Sequence, residues 1–523
     1  MNHLAVILHA HLPFVRHPEH EHFLEEDWLF EAITETYIPL LQMMERLVND
    51  NVPFKLTMSL TPTLCAMLQD QVLCARYLRH LDLLIDLAVR EQKRNRNHAK
   101  LLELSKFYTD LFCDSRRFFV DEWNCDLLSA FRQLRETNAL EIIGSAATHG
   151  ILPLIQKQSK EAARAQVLIG RDVYVDFLGA DPAGLWLPEC AYAPGIDFLL
   201  QEANVRWFVV DAHGLLFGKP QPQHAIYAPC YTRAGPAAFA RDRESSRQVW
   251  SAEEGYPGDP AYREFYRDIG FDLPLEHLGP VARGARKFSG LKYHRITGRK
   301  KDKELYDRAA AEKAAKAHAM HFLEQRRAEL RHLTTIDVNP IVVAPFDAEL
   351  FGHWWFEGPR FLELFIRKAA FDQAHLSLTT PGEYLAVHPT LQTIEPAASS
   401  WGDKGHLEVW LDKSNSWIYS HLHVAALRMH KLADDHKVDP GQMTDRVLKQ
   451  LARELLLAQS SDWAFLMRTG TAREYATKRT LDHLARFNKL HDQFVTGRLD
   501  EKFLADCEWR DNLFPNLNWR YYA

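Results

Sequence analysis

What most limits the folds open to this chain is a recurrence. Short apolar runs end abruptly in polar or ionisable residues, and a helical or loop segment follows each one. Residues 4–8 (LAVIL) end in His9-Ala10-His11, and residues 54–60 (FKLTMSL) close on Thr61-Pro62-Thr63. Residues 140–143 (LEII) open through GSAATHG to His149, LWL (185–187) delivers Glu189, and VRWFVV (205–210) ends in Asp211-Ala212-His213. The last run, residues 341–344, breaks at Pro345 and spills Asp347, Glu349, His353, Trp354 and Trp355 into a loop. Such alternation argues for βα units on a mainly parallel sheet. Repeated over most of the first 385 residues, it predicts an α/β barrel with its site at the C-terminal strand ends.

The rest of the chain decorates that frame. Apolar residues at three- and four-residue spacing predict a helical insertion over about 64–138, with the charged knot at 90–100 as an exposed turn. A loop and helical insertion is expected over about 190–270. Within it, the Pro-, Gly- and Ala-rich residues 220–240, carrying Tyr227 and Tyr231, read as a mobile surface loop. Charges and aromatics crowd 241–272 around a turn at Gly255, Pro257 and Gly258. An amphipathic helix is expected over 303–333, then a strand in SLTT (377–380). Strand patterns stop near residue 385, so residues 1–385 are read as the catalytic barrel and 386–523 as a helical C-terminal domain.

Composition removes several classes of function. A net charge of −6 leaves no basic footprint for nucleic acid. Seven scattered cysteines with no C-x-x-C pair suggest neither a disulfide framework nor a zinc ribbon, which fits a reducing cytoplasm. The opening MNHLAVILHAHLPF lacks a basic n-region and a cleavage site, so it reads as a strand and not a signal peptide. No apolar run approaches the ~20 residues of a membrane span. No phosphate-binding loop, dinucleotide fingerprint or serine elbow is present, and no cofactor is expected. Thirteen tryptophans fit either an aromatic core or a cleft that stacks on sugar rings. Trp401, beside Gly402 and Asp403, is the one expected to be exposed.

Three constellations carry chemistry. Pro188 and the segment after Cys190 hold Glu189 outside regular structure, aiming a carboxylate into the barrel mouth; a structural Glu paired with an arginine is the alternative. Asp347 is its natural partner, because retaining glycoside chemistry needs a nucleophilic carboxylate and a proton-donating acid about 5–5.5 Å apart. Glu349 shares the face of Asp347 in an extended chain and rivals it. His9, His11 and His149 suit zinc with an open position, hydrogen bonds to sugar hydroxyls, or purely structural bonding.

In order along the chain, HAHLPF, GSAATHGILPL, WLPECAY, APFDAELFGHWW and WGDKGHLEVWLD resemble the five signature regions of glycoside hydrolase family 57. The stretch from Arg241 and the helical C-terminal part look most like that family's 1,4-α-glucan branching enzymes. The resemblance implies a distorted (β/α)7 barrel, with Glu189 as nucleophile, Asp347 as general acid/base and Glu349 in support. His11, His149, Arg241, Gly258, Trp401 and Asp462 fall at positions implied to contact glucan, and no metal is implied. The implied substrate is an α-glucan, handled by a monomer or small homo-oligomer without membrane or nucleic-acid partners. The related enzymes use a tyrosine-bearing loop near the site to favour transfer over hydrolysis. Here the matching segment, 219–240, is short, and Tyr231 and Tyr227 are the candidate gating tyrosines it offers. A 4-α-glucanotransferase or α-amylase of the same family, a metal-dependent polysaccharide deacetylase and an idle glucan-binding protein are the rival readings.

Overall fold

The computed structural model describes residues 2–251, 254–298, 302–331, 333, 339–371 and 376–523. Ala252 and Glu253 of the charged stretch, and His332 near the end of the expected amphipathic helix, lie outside the described residues. Nine strands form one sheet there: β1 (His3–Ala10), β2 (Leu56–Leu60), β3 (Leu140–Ser145), β4 (Gly184–Trp186), β5 (Trp207–Val210), β6 (Cys230–Tyr231), β7 (Ala237–Ala240), β8 (Ile341–Asp347) and β9 (Ser377–Leu378). Seven run parallel in the order β7-β5-β4-β3-β2-β1-β8. The ring closes where Arg241, just past β7, bridges Val343 of β8 in parallel, with the Asp242 N–H donating to the Val343 carbonyl at 2.8 Å. A seam this short makes the (β/α)7 barrel a distorted one.

Side chains alternate across a strand, and the inward set is visible in the burial. Ala5 and Ile7, Trp207 and Val209, Ala237 and Phe239, and Ile341 and Val343 pack into one lumen cluster with Ile143, Trp186 and Cys190. Continuing the same parity puts His9 and Asp347 at the next inward level, where they are register partners across β1 and β8. The apolar floor and the polar mouth are therefore one periodicity read to its end. Pro345 does not end the strand, against expectation; it pairs with Ile7 inside β8. A proline is tolerated there because the far side of β8 is the seam, with a single bridge, so few ladder bonds are at stake. The short Gly184 makes room for the lumen: a Cβ there would lie 2.3 Å from the Trp207 indole. Gly184→Ala should therefore cost about 1–3 kcal/mol by overpacking, seen in calorimetry as a lower unfolding midpoint.

Helices Pro62–Gln69, Gln71–Arg94, Ala99–Arg117 and Leu127–Glu136 fill the span between β2 and β3. The charged knot is not simply an exposed turn: Glu91 is fully buried, binding Arg94 (2.6 Å) and His277 (2.5 Å). Two barrel strands, β5 and β7, lie inside the stretch read as an insertion over 190–270. The expected free loop at 220–240 is laced down. Lys219 and Glu395 exchange backbone hydrogen bonds, as do Tyr231 and the 392–394 segment. Residues 392–401 thus return along the barrel before helices Trp417–His436, Gly441–Ala458, Ser461–Thr469, Arg473–Val495 and Glu501–Arg510 begin to pack on buried Leu448, Leu451 and Leu455. All seven cysteines are free, and no helix among the described residues is long and apolar enough to cross a membrane.

Candidate active site

Glu189 sits three residues past Trp186, the last paired residue of β4, in the 3-10 turn Pro188–Cys190. Its φ is 60° and that of Cys190 is 49°, left-handed values that side chains other than glycine rarely adopt. Such backbone persists only when neighbours over-determine it. Here they do: the Trp401 N–H donates to the Glu189 carbonyl (3.0 Å), and Tyr192 and Ser399 bond each other's backbone (2.9 and 3.1 Å). The Glu189 carboxylate is held as firmly as its backbone. Oε2 accepts from the Trp401 indole N–H at 2.8 Å, and Oε1 from the Ser461 hydroxyl at 3.0 Å. Burial pushes its pKa up, the charge of Asp462 adds to this, and the two donors with His11 oppose it. No arginine pairs with it among the described residues.

Asp347 shares this space. Burial pushes its pKa well above the carboxylate range, Glu349 and then Glu189 push the same way, and His11 and Arg241 only partly offset them. No described side chain hydrogen-bonds its carboxyl, which stays half-buried and free to meet a ligand. Its sequence rival is occupied instead. Glu349 accepts from the Tyr37 hydroxyl (2.5 Å) and from the His11 N–H (3.2 Å), and burial pushes its pKa up to about 7. One acid is engaged by the protein and the other is not.

The three histidines stack beside the pair, with ring centroids 5.0 Å apart for His9 and His149 and 3.8 Å for His11 and His149. Each of their ring nitrogens has a partner within the protein. His11 bonds Thr61 (3.1 Å) and Asp462 (3.0 Å); His9 bonds Ser59 (3.2 Å) and His149 (3.0 Å); His149 also bonds Ser461 (2.8 Å). Although burial opposes the charged His11 ring, Asp462 more than compensates and raises its pKa. Asp462, pushed up by burial but pulled down by His11, lies near 2. His11, His149 and Asp462 could be spanned by one ion, although the ring nitrogens of both histidines already have protein partners. Arg241 lies with its guanidinium 5.6 Å from the Trp401 ring and is braced by Asp211 (3.4 Å) and Ser246 (2.8 Å).

Several expectations need correcting. Trp401 is half-buried and points its N–H at Glu189; the exposed tryptophans among the described residues include Trp250, Trp509 and Trp354, the last stacked on Phe265 at 4.4 Å. Of the core and cleft alternatives left open for the tryptophans, Trp355 and Trp410 fall to the core, both buried. His149 is 2 % exposed with both nitrogens engaged, so its ring offers a sugar no donor. Gly258, by contrast, ends the expected turn, Tyr256–Gly258, its amide donating to the Gly255 carbonyl (3.4 Å). Tyr231 is at the wrong end of the barrel for a gate. It pairs with Ala237, the first residue of β7, whereas the site follows the last, and its hydroxyl donates to the Pro389 carbonyl (3.1 Å). Tyr227 is spent on Glu329 (3.0 Å). Sequence reasoning missed Tyr37, Ser59 and Ser461. Ser59 alone had a signal, as a polar residue at the end of an apolar run.

A closed parallel barrel holding at its mouth one hydrogen-bonded carboxylate and one acid whose pKa is pushed up by burial has the makings of a glycoside-processing enzyme. The comparisons agree. Residues 5–396 match the family described as Glycosyl hydrolase family 57, and the chain belongs to that family. Residues 421–522 match the region described as 1,4-alpha-glucan branching enzyme, C-terminal. A 1,4-alpha-glucan branching enzyme of Thermococcus kodakarensis is 34% identical, over 98% of this chain and 77% of that one. Among solved structures, the alpha-amylase AmyC from Thermotoga maritima is 45% identical with a TM-score of 0.93, covering 100% of this chain and 99% of that one. The family 57 branching enzyme from Pyrococcus horikoshii is 34% identical with a TM-score of 0.90, covering 100% and 96%.

Proposed function

We propose that the chain acts as a 1,4-α-glucan branching enzyme with Glu189 as nucleophile and Asp347 as general acid/base. The observation that carries this reading is where the branching-enzyme C-terminal region meets the barrel. Its Ser461 and Asp462 enter the site itself, bonded to Glu189, His149 and His11. In the reaction, an α-glucan lies across the mouth against Trp401, Arg241, His11 and Asp462. Asp347 protonates the glycosidic oxygen as Glu189 attacks the anomeric carbon, giving a covalent glycosyl-enzyme; the chain beyond the cut leaves with a free 4-hydroxyl. The ionised Asp347 then takes the proton of an incoming 6-hydroxyl, which displaces Glu189 and forms the α-1,6 branch. The seven free cysteines support a reducing, cytoplasmic setting for this work.

Proton NMR of amylose after incubation tests the reading: α-1,6 anomeric signals should grow as α-1,4 signals fall, with little new reducing end. One observation favours a second outcome, hydrolysis. No tyrosine of the 219–240 segment reaches the site, and one solved relative bears the name of an amylase. Reducing ends accumulating without α-1,6 signals would select an α-amylase using the same two acids.

A further inference from the structure

One line of hydrogen bonds ending on Glu189 has no part in the steps above. It starts at Ser59 Oγ near the end of β2, reaches His9 Nδ1 (3.2 Å), and crosses from His9 Nε2 to His149 Nε2 (3.0 Å). It continues from His149 Nδ1 to Ser461 Oγ (2.8 Å) and ends on Glu189 Oε1 (3.0 Å). Ser59, His9, His149 and Ser461 are each at most 2 % exposed, so water does not offer them alternative partners. His149 is itself held in a left-handed backbone, φ 58°, with the Ser461 N–H donating to its carbonyl (3.1 Å). Barrel and C-terminal helices are joined by the same residues that form the line.

Counting hydrogens gives the line a single direction. An ionised carboxylate only accepts, so the one hydrogen of Ser461 goes to Oε1. The Ser461 oxygen must then accept, which places the His149 proton on Nδ1. A neutral imidazole carries one N–H, so His149 Nε2 accepts and His9 Nε2 donates. His9 Nδ1 in turn accepts from the Ser59 hydroxyl. Protonating His149 at Nε2 would set its N–H against that of His9 Nε2 across a 3.0 Å contact, whereas a proton added to His9 at Nδ1 would turn the Ser59 hydroxyl from donor to acceptor. Burial already holds both rings well below the ordinary histidine range, and the nearby His11 pushes the same way.

We infer that Ser59, His9, His149 and Ser461 form a one-way hydrogen-bond line that positions Glu189 and keeps it ionised, with Ser461 of the C-terminal region as its final donor. The inference rests on Glu189 being the nucleophile. Trp401 fixes Oε2 and the line fixes Oε1, so the carboxylate cannot rotate away from the anomeric carbon. Of the other groups facing Glu189, Asp462 and Asp347 disfavour its charge, whereas His11 favours it. Loss of the Ser461 donor therefore leaves burial less opposed, and the carboxylate holds a proton to higher pH.

The test uses the full chain with amylose as substrate. Ser461→Ala should lower kcat by roughly 10- to 100-fold, the scale of one lost donor to a reacting charge, with KM changed less than about 2-fold. The acid limb of its kcat/KM profile should move to higher pH, and Ser461→Thr, which keeps the hydroxyl, should restore both. On the unsubstituted protein, 15N NMR of labelled histidines should find His149 neutral with its proton on Nδ1 and His9 neutral with its proton on Nε2. The opposite tautomers, or an unmoved acid limb in Ser461→Ala while Glu189→Gln is inactive, would overturn the line and leave the nucleophile assignment intact. Normal turnover in Glu189→Gln would instead remove that assignment and this inference together.

Discussion

Glu189→Gln should reduce turnover of amylose by roughly 10⁴-fold or more, the scale seen when a covalent nucleophile is deleted, with glucan affinity changed only a few-fold. An amide keeps the size of the carboxylate but has no charge with which to attack or to stabilise a developing positive centre. It also fits its surroundings poorly. Trp401 and Ser461 both donate to Glu189, and an amide has only one oxygen with which to accept. One donor then meets an NH₂ group, a mismatch that costs about 1–3 kcal/mol in a buried site. Rates from amylose, together with calorimetric binding of a maltooligosaccharide, measure both quantities. A variant that binds and still turns over at the normal rate would remove Glu189 from the chemistry.

Asp347→Asn should cost about 10²- to 10⁴-fold on amylose, the range of general acid–base assistance, and far less on an α-glucosyl fluoride. Fluoride departs without a proton, so the first step no longer needs the acid. The pH profile supplies a second measure with a definite sign. Burial, Glu349 and Glu189 all raise the pKa of Asp347, so its catalytic proton is present below that raised value and lost as pH rises through it. The alkaline limb of kcat/KM should therefore belong to Asp347 and disappear in Asp347→Asn, with the acid limb left to ionisation of Glu189. Equal losses on amylose and on the fluoride would move the acid role elsewhere. Glu349 is the alternative, although its carboxylate is already bonded to Tyr37 and His11.

Much of the frame was legible in the chain because period-two burial is a local property. Residues 4–8, 140–143 and 205–210 read as strands, and strands they are, since an apolar run this short has few other ways to be buried. The same reading lost β7, whose AAFA is as buried as any strand but lies among prolines and glycines that suggest a loop. It also stopped β8 at Pro345, because local propensity cannot know that one side of that strand is a seam.

The pairing of histidines was half legible. H-x-H on a strand puts both rings on one face, but only the fold brings His149 and Ser461 against them. Trp401 shows the limit most clearly. Its neighbours Gly402 and Asp403 argue for exposure, yet its indole is turned inward, where its N–H donates to the Glu189 carboxylate at 2.8 Å. Tyr231 fails for the converse reason: a tyrosine in the right stretch of sequence stands at the start of β7 and not at its end.

By itself, the order of residues determined the alternation of strand and helix, the two carboxyl-bearing strand ends and the helical character of the last hundred or so residues, because each depends on neighbours within a few positions. Only the tertiary structure decided which acid is free, which way Trp401 points and that Ser461 reaches Glu189 from 272 positions away. Those outcomes depend on burial and on who donates to whom, and donors are assigned by packing in three dimensions.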